Sequence, residues 1–274
     1  MKKINYGLRG HDIADNFSDM CKKAKEQKIN ILQFAFAKTC NNIDFDAIGY
    51  DENIAASILK ELKEYMLEVA VLGCYINPVE IEEKSKQIQL KRFENFINYS
   101  KDFNAGVIGT ETGWKSSLEE THSENTYKEF LNSMAPLVNV AENKGVQIGI
   151  EPVWQLTIYS VDMMEKMLKD MASDNISVIL DVSNLLYSGN LNEQDFIINS
   201  AFDKFGDRIS TIHLKDYYVV EGRKSFAPAG LGKLNIELLF KNVSQMKNKP
   251  DIILDELPVD LYKETVKRLD DMLY

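Results

Sequence analysis

Gly145-Val146-Gln147-Ile148-Gly149-Ile150-Glu151-Pro152-Val153-Trp154 is a short, mostly apolar run that ends in one carboxylate, with a proline directly behind it. Proline has no N–H to donate and disfavours helix in the residue before it. The chain is therefore expected to leave a strand at Glu151 and to hold that side chain at a rim. The pattern recurs downstream. Ile176-Ser177-Val178-Ile179-Leu180 runs into Asp181, and Ile209-Ser210-Thr211-Ile212 runs into His213. Ile252-Ile253-Leu254 runs into Asp255-Glu256, with Pro258 close behind. Four apolar strands each deliver an ionisable group near the C-terminal end.

Outward from that stretch the chain divides into eight strand-then-helix units. Strands are expected at 4–8, 30–36, 68–76, 105–110, the opening stretch, 176–180, 209–213 and 251–256. Helices are expected at 12–27, 53–66, 79–101, 124–143, 159–171, 192–205, 236–246 and 260–272, with Ser160 as a cap and a long loop at 217–233. Such alternation argues for parallel strands joined by right-handed crossovers. Near-continuous apolar runs such as Val178-Ile179-Leu180 suit strands covered on both faces. Eight units in 274 residues match a (β/α)8 TIM barrel, read as a single domain over 1–274. The runner-up, a doubly wound open sheet, usually carries a Gly-rich nucleotide turn after the first strand. Gly7-Leu8-Arg9-Gly10-His11 is not that fingerprint. No repeat, low-complexity segment or linker is present.

Composition narrows the function. A net charge of −10 opposes binding to a phosphate backbone, so nucleic acid is not an expected partner. No run of eighteen apolar residues exists, so no membrane span is expected. Met1-Lys2-Lys3 resembles the start of a signal peptide, but Asn5, Arg9, His11 and Asp12 interrupt its apolar core. Cys21, Cys40 and Cys74 are odd in number and lack a Cys-x-x-Cys pair, which fits a reducing cytoplasm. Homo-oligomerisation is left open.

In a barrel all strand C-termini share one face, where active sites sit. Glu151, Asp181, His213 and Glu256 then become neighbours. Three carboxylates and one imidazole suit a divalent cation, with Mn²⁺ preferred and Mg²⁺, Co²⁺, Zn²⁺ or Fe²⁺ as alternatives. Without a cation the clustered carboxylates would repel and at least one pKa would rise. The chemistry such a site supports is proton movement at a carbon beside a carbonyl. A cation polarises the carbonyl and a carboxylate takes the proton. Carboxylates on both faces give epimerisation, one shuttling carboxylate gives aldose–ketose isomerisation, and loss of a β-hydroxyl gives dehydration. Glu151 and Glu256 are the candidate catalytic groups. His11, Glu111, Trp114, Trp154, Asn184, Lys215 and Arg223 are candidate substrate contacts on strand ends and loops. Each has a bland alternative: cap, rim packing or surface ion pair. Lys215 lies two residues past His213 and shares its face, so it can bind an oxyanion or pair with Glu256 or Asp216. His122 reads as a helix opener, and Gly230-Leu231-Gly232-Lys233 is too short and misplaced for a P-loop.

The motifs Ile150-Glu151-Pro152, Leu180-Asp181-Val182-Ser183-Asn184 and His213-Leu214-Lys215-Asp216 resemble those of the xylose isomerase-like sugar isomerase/epimerase superfamily. Pro228-Ala229-Gly230-Leu231-Gly232 resembles its Pro-x-Gly-x-Gly loop. The resemblance runs the length of the chain. It implies one divalent metal held by Glu151, Asp181, His213 and Glu256, with both glutamates exchanging protons with a small sugar or polyol, phosphorylated or not. Many relatives carry Asp-x-x-His where this chain has Asp181-Val182-Ser183-Asn184, and an amide cannot titrate. The substrate is therefore left open. Inosose or keto-polyol dehydration is the alternative activity. A nuclease of the endonuclease IV type would need more histidines than His11, His122 and His213, and a non-catalytic binding barrel would have no use for the four ligand-type residues.

Overall fold

In the computed structural model, which describes residues 4–40 and 42–273, ten strands form. They are β1 (Tyr6–Arg9), β2 (Ile31–Phe34), β3 (Glu68–Gly73), β4 (Val107–Thr110), β5 (Ile148–Ile150), β6 (Ile176–Leu180), β7 (Ile209–Leu214), β8 (Asp216–Val220), β9 (Arg223–Ala227) and β10 (Asp251–Leu254). Eight of them close into a parallel barrel in the order β1-β10-β7-β6-β5-β4-β3-β2. Each barrel strand is followed by helix, so the chain is a (β/α)8 TIM barrel. No described helix is long and apolar enough to cross a membrane.

Local chemistry sets the element boundaries. Asn16 accepts from the Asp19 amide and starts the helix Phe17–Gln27, so the single helix expected over 12–27 is divided there. Asp12 lies outside it, in the short helical turn Gly10–Ile13, and pairs with Arg9. Ser160 caps Val161–Met171 as the sequence implies, accepting from Met163. Lys28 and Gly145 end their helices in the left-handed conformation. The largest departure is at 217–233, expected as a loop. There β8 and β9 pair antiparallel around a turn at Glu221-Gly222 and fold over the mouth of the barrel.

The barrel interior is packed, not hollow. Ile179 reaches across so that a Cβ at Gly149 or Gly109 would meet its atoms at 2.9 Å. Val71, Val107 and Ile179 form one interior cluster, and Ile31, Ala70 and Ile253 another. Glycine on one strand thus makes room for isoleucine on a neighbour, and the alternation fills the taper. This packing also fixes strand register. Ile253 pairs with His213 on β7, so the residues two further on, Asp255 and Lys215, also face inward. Truncating Ile179 to Ala should open a cavity that backbone glycines cannot collapse into. We expect a loss of about 2–5 kcal/mol in denaturant unfolding. A change below about 0.5 kcal/mol would mean that the barrel centre is not a close-packed core.

Candidate active site

At the C-terminal ends of the strands lies a cavity of about 430 Å³. Glu151 is the first residue past β5 and is only 3% exposed. Both of its oxygens are held: Asn184 Nδ2 donates to Oε1 at 2.7 Å, and His213 Nδ1 lies 3.0 Å from Oε2. Asn184 is placed in turn by Asp181, whose Oδ1 accepts from the Asn184 amide at 3.2 Å and caps the short helix Val182–Leu185. His213 and Lys215 share the inner face of β7. The Lys215 ammonium lies 2.7 Å from Asp255 Oδ2 and 3.2 Å from Asp181 Oδ2. The second contact is an ion pair without hydrogen-bond alignment, since Asp181 Oδ2 has no hydrogen-bond partner.

The fourth carboxylate differs from the sequence expectation. Asp255 is buried, and its other oxygen receives Arg9 at 2.7 Å. Arg9 in turn forks onto Asp12. Glu256 faces the cavity mouth, its side chain 42% exposed and its backbone left-handed at φ 52°; its ion contact is Lys215, at 3.9 Å. Asp255 continues the inward face set by Ile253, whereas β10 ends at Leu254 and the left-handed backbone at Glu256 carries its side chain to the mouth of the same cavity. Lys215 pairs with Asp181 and Asp255, not with Asp216. Asp216 is turned away, accepting from the amides of Gly230, Gly232 and Leu234 and so shaping the Pro228–Gly232 loop.

Burial and charge separate the acids. Burial, reinforced by the Glu151 charge, pushes the Glu111 carboxyl up to about 7. Burial raises Asp181 to about 6 although Lys215 opposes it. For Asp255, burial is outweighed by Lys215, His213 and Arg9, which hold it at about 2. Burial works against the Lys215 ammonium, but Asp181, Asp255 and Glu151 raise it above an ordinary lysine. Burial lowers Lys224 to about 8.

The donor chemistry fits a divalent cation. Glu151, Asp181, His213 and Asp255 are all buried, and Asp181 Oδ2 and His213 Nε2 have no hydrogen-bond partner. Buried polar atoms of that kind call for a partner, and hard oxygens with one imidazole suit Mg²⁺, Mn²⁺ or Zn²⁺. As placed, the four do not close a cage: among the described residues no three His, Cys, Asp or Glu converge as metal ligands. The Lys215 ammonium stands between the carboxylates instead.

Of the expected substrate contacts, His11, Glu111, Asn184 and Lys215 line the cavity with Glu151, His213 and Glu256. Trp114, Trp154 and Arg223 do not. Trp114 is 53% exposed on its loop. Trp154 stacks on Tyr187 at 4.6 Å, leaving Val153 and Gln155 to face the cavity. Arg223 opens β9 at the hairpin turn, and the next residue, Lys224, reaches in to the carbonyls of Ser183 and Leu186. Arg9, Gln33, Lys38, Tyr75 and Phe226 also line the cavity without having been singled out. Gln33 carried a signal, as the lone polar residue inside an apolar strand, and it donates to the Tyr75 hydroxyl.

The family model described as xylose isomerase-like TIM barrel matches residues 21–272. The chain belongs to that family. Among solved structures, a D-tagatose 3-epimerase-like protein superposes with a TM-score of 0.79 at 12% identity, over 98% of each chain. The 3-keto-D-glucoside 4-epimerase of E. coli gives 0.75 at 16% identity, over 98% of this chain and 100% of that one. A xylose isomerase-like TIM barrel protein from Mycobacterium smegmatis, in complex with magnesium, gives 0.73 at 12%, over 99% and 98%. At these identities the likeness establishes the fold. No curated protein matches the sequence significantly.

One feature of the cavity can be read by titration. Burial, with Lys38 and Arg9 nearby, lowers His11 to about 4. His11 should therefore stay neutral through the physiological range in a histidine NMR titration, assigned with a His11→Gln variant. A midpoint near the ordinary ~6.5 would contradict its placement.

Proposed function

We propose that this chain is a divalent-metal-dependent isomerase or epimerase, moving a proton at a carbon next to a carbonyl of a sugar or polyol. The observation that carries the reading is the split between adjacent acids. Asp255 is buried against two cations, while Glu256 stands at the mouth of the same cavity. The inner residue suits ligation and the outer one suits proton transfer. Glu151, Asp181, His213 and Asp255 would hold the cation, which when bound would polarise the carbonyl and stabilise negative charge on the substrate oxygens. Solved structures of the same fold that include an epimerase, an epimerase-like protein and a magnesium complex support this.

Glu151 takes or returns the proton on one face of the carbon, held in aim by Asn184 and His213. Glu256 serves the other face from β10. Gln33, Lys38 and Lys224 offer donors to hydroxyl groups, and the β8–β9 hairpin brings Phe226 over the cavity to exclude water. Dehydration is the second reading, favoured by Glu111. A carboxyl raised to about 7 is partly protonated at neutral pH and can donate to a departing hydroxyl.

The test is conversion of ketoses, aldoses and inososes by the Mn²⁺-supplied protein in deuterated water. An isomerase or epimerase yields an isomer carrying solvent deuterium, whereas a dehydratase yields an unsaturated or keto product. Glu151→Gln and Glu256→Gln each keep the shape and remove the acceptor, so turnover should fall at least ~10²-fold. One of the two should still exchange the substrate proton without inverting the centre. Near-normal turnover in both variants would remove the two-base mechanism.

A further inference from the structure

We infer that Lys215 is a built-in competitor for the divalent cation: its ammonium holds Asp181 and Asp255 together and has to withdraw before metal binds. The inference rests on the metal site proposed above. Its first support is the occupancy of the donor atoms. Glu151 Oε1 is taken by Asn184 and Oε2 by His213, Asp181 Oδ1 by the Asn184 amide, and Asp255 Oδ1 by Arg9. The carboxylate oxygens left over are Asp181 Oδ2 and Asp255 Oδ2, and both face the Lys215 ammonium. Each contacted oxygen keeps a second lone pair for a cation, but the two oxygens free of those contacts are the pair that Lys215 faces, so a cation drawn to them meets the ammonium. An ammonium and a divalent ion cannot share that position, because like charges at such range in a buried site repel strongly.

The second support is a place for the ammonium to go. The lysine stem is long and flexible. The Phe226 ring lies 4.5 Å from Nζ and can take a cation on its face. Glu256 Oε1 lies 3.9 Å away toward the cavity mouth. A short swing carries Lys215 from the two buried aspartates to the ring and the outer glutamate. The charge leaves the ligand set without leaving the cavity.

The test uses the full chain stripped of metal with a chelator, titrated with Mn²⁺ by calorimetry, with Tm read before and after. Lys215→Met should bind Mn²⁺ at least ~10-fold more tightly than the parent, because binding no longer has to displace an ion pair. Its metal-free Tm should fall, because two buried carboxylates lose their partner, and saturating Mn²⁺ should restore it. Asp181→Asn with Lys215→Met should recover much of the metal-free Tm and bind Mn²⁺ poorly. Should Lys215→Met not fold, Lys215→Gln removes the charge while keeping a donor, and the same comparison applies. Equal or weaker Mn²⁺ binding by the variant, or a Tm loss that Mn²⁺ does not repair, overturns the inference and leaves Lys215 a structural ion pair. If neither parent nor variant binds Mn²⁺, the metal site itself falls, and the inference with it.

Discussion

A buried ammonium on a central strand organises the C-terminal face of this barrel. Lys215 stands on β7, and its neighbours around the barrel are β6 and β10. Asp181 follows the first and Asp255 follows the second. One lysine thus ties the ends of three adjacent strands. Taking such groups out of water costs several kcal/mol per ion. The cost is offset only where geometry and further hydrogen bonds satisfy what remains, and the chain supplies both. Arg9 takes the far oxygen of Asp255, and the Asn184 amide takes the far oxygen of Asp181. Removing one partner leaves a buried charge uncompensated, so these residues act as a unit and their individual effects will not add.

Much of this was legible in the sequence because a parallel barrel converts order into position. Once eight strand-helix units are recognised, Glu151, Asp181 and His213 must share a face, and the structure places all three within one network. The Asp255-Glu256 pair was not resolved by that reasoning. Two adjacent acids at a strand end look alike until register is known, and register depends on Ile253 facing inward beside His213. The tryptophans are left open by the sequence for a related reason. An aromatic residue on a strand-end loop can face the cavity or its rim, and the stacking of Trp154 on Tyr187 decides it. The hairpin at β8–β9 was hidden because its segment lacks the clean alternation of a core strand. Tyr217 and Ala227 are buried while Tyr218, Val220 and Phe226 are exposed, so apolar side chains fall on both faces and write no alternation into the sequence.

Asn184, which departs from the pattern the resemblance implies, is still part of the network around Glu151. Where many relatives carry histidine, this amide donates to Glu151 and fixes one of its oxygens. It contributes aim without contributing a titratable proton. In the proposed mechanism the acid–base work then falls to carboxylates; around them Glu111 and Asp181 are raised and Asp255 is depressed. Sites that push similar groups apart in this way are suited to proton transfer. The fold hosts many activities, so substrate identity rests on the cavity lining and not on the barrel.

The central claim is that Asp255, not Glu256, completes a divalent site from which Lys215 withdraws. Anomalous diffraction at the manganese edge from crystals grown with Mn²⁺ tests it directly. The account predicts one strong peak bounded by Glu151, Asp181, His213 and Asp255, with the Lys215 ammonium moved toward Phe226 and Glu256 outside the coordination sphere. A peak ligated by Glu256 with Lys215 still seated between Asp181 and Asp255, or no peak in this cavity, would contradict it.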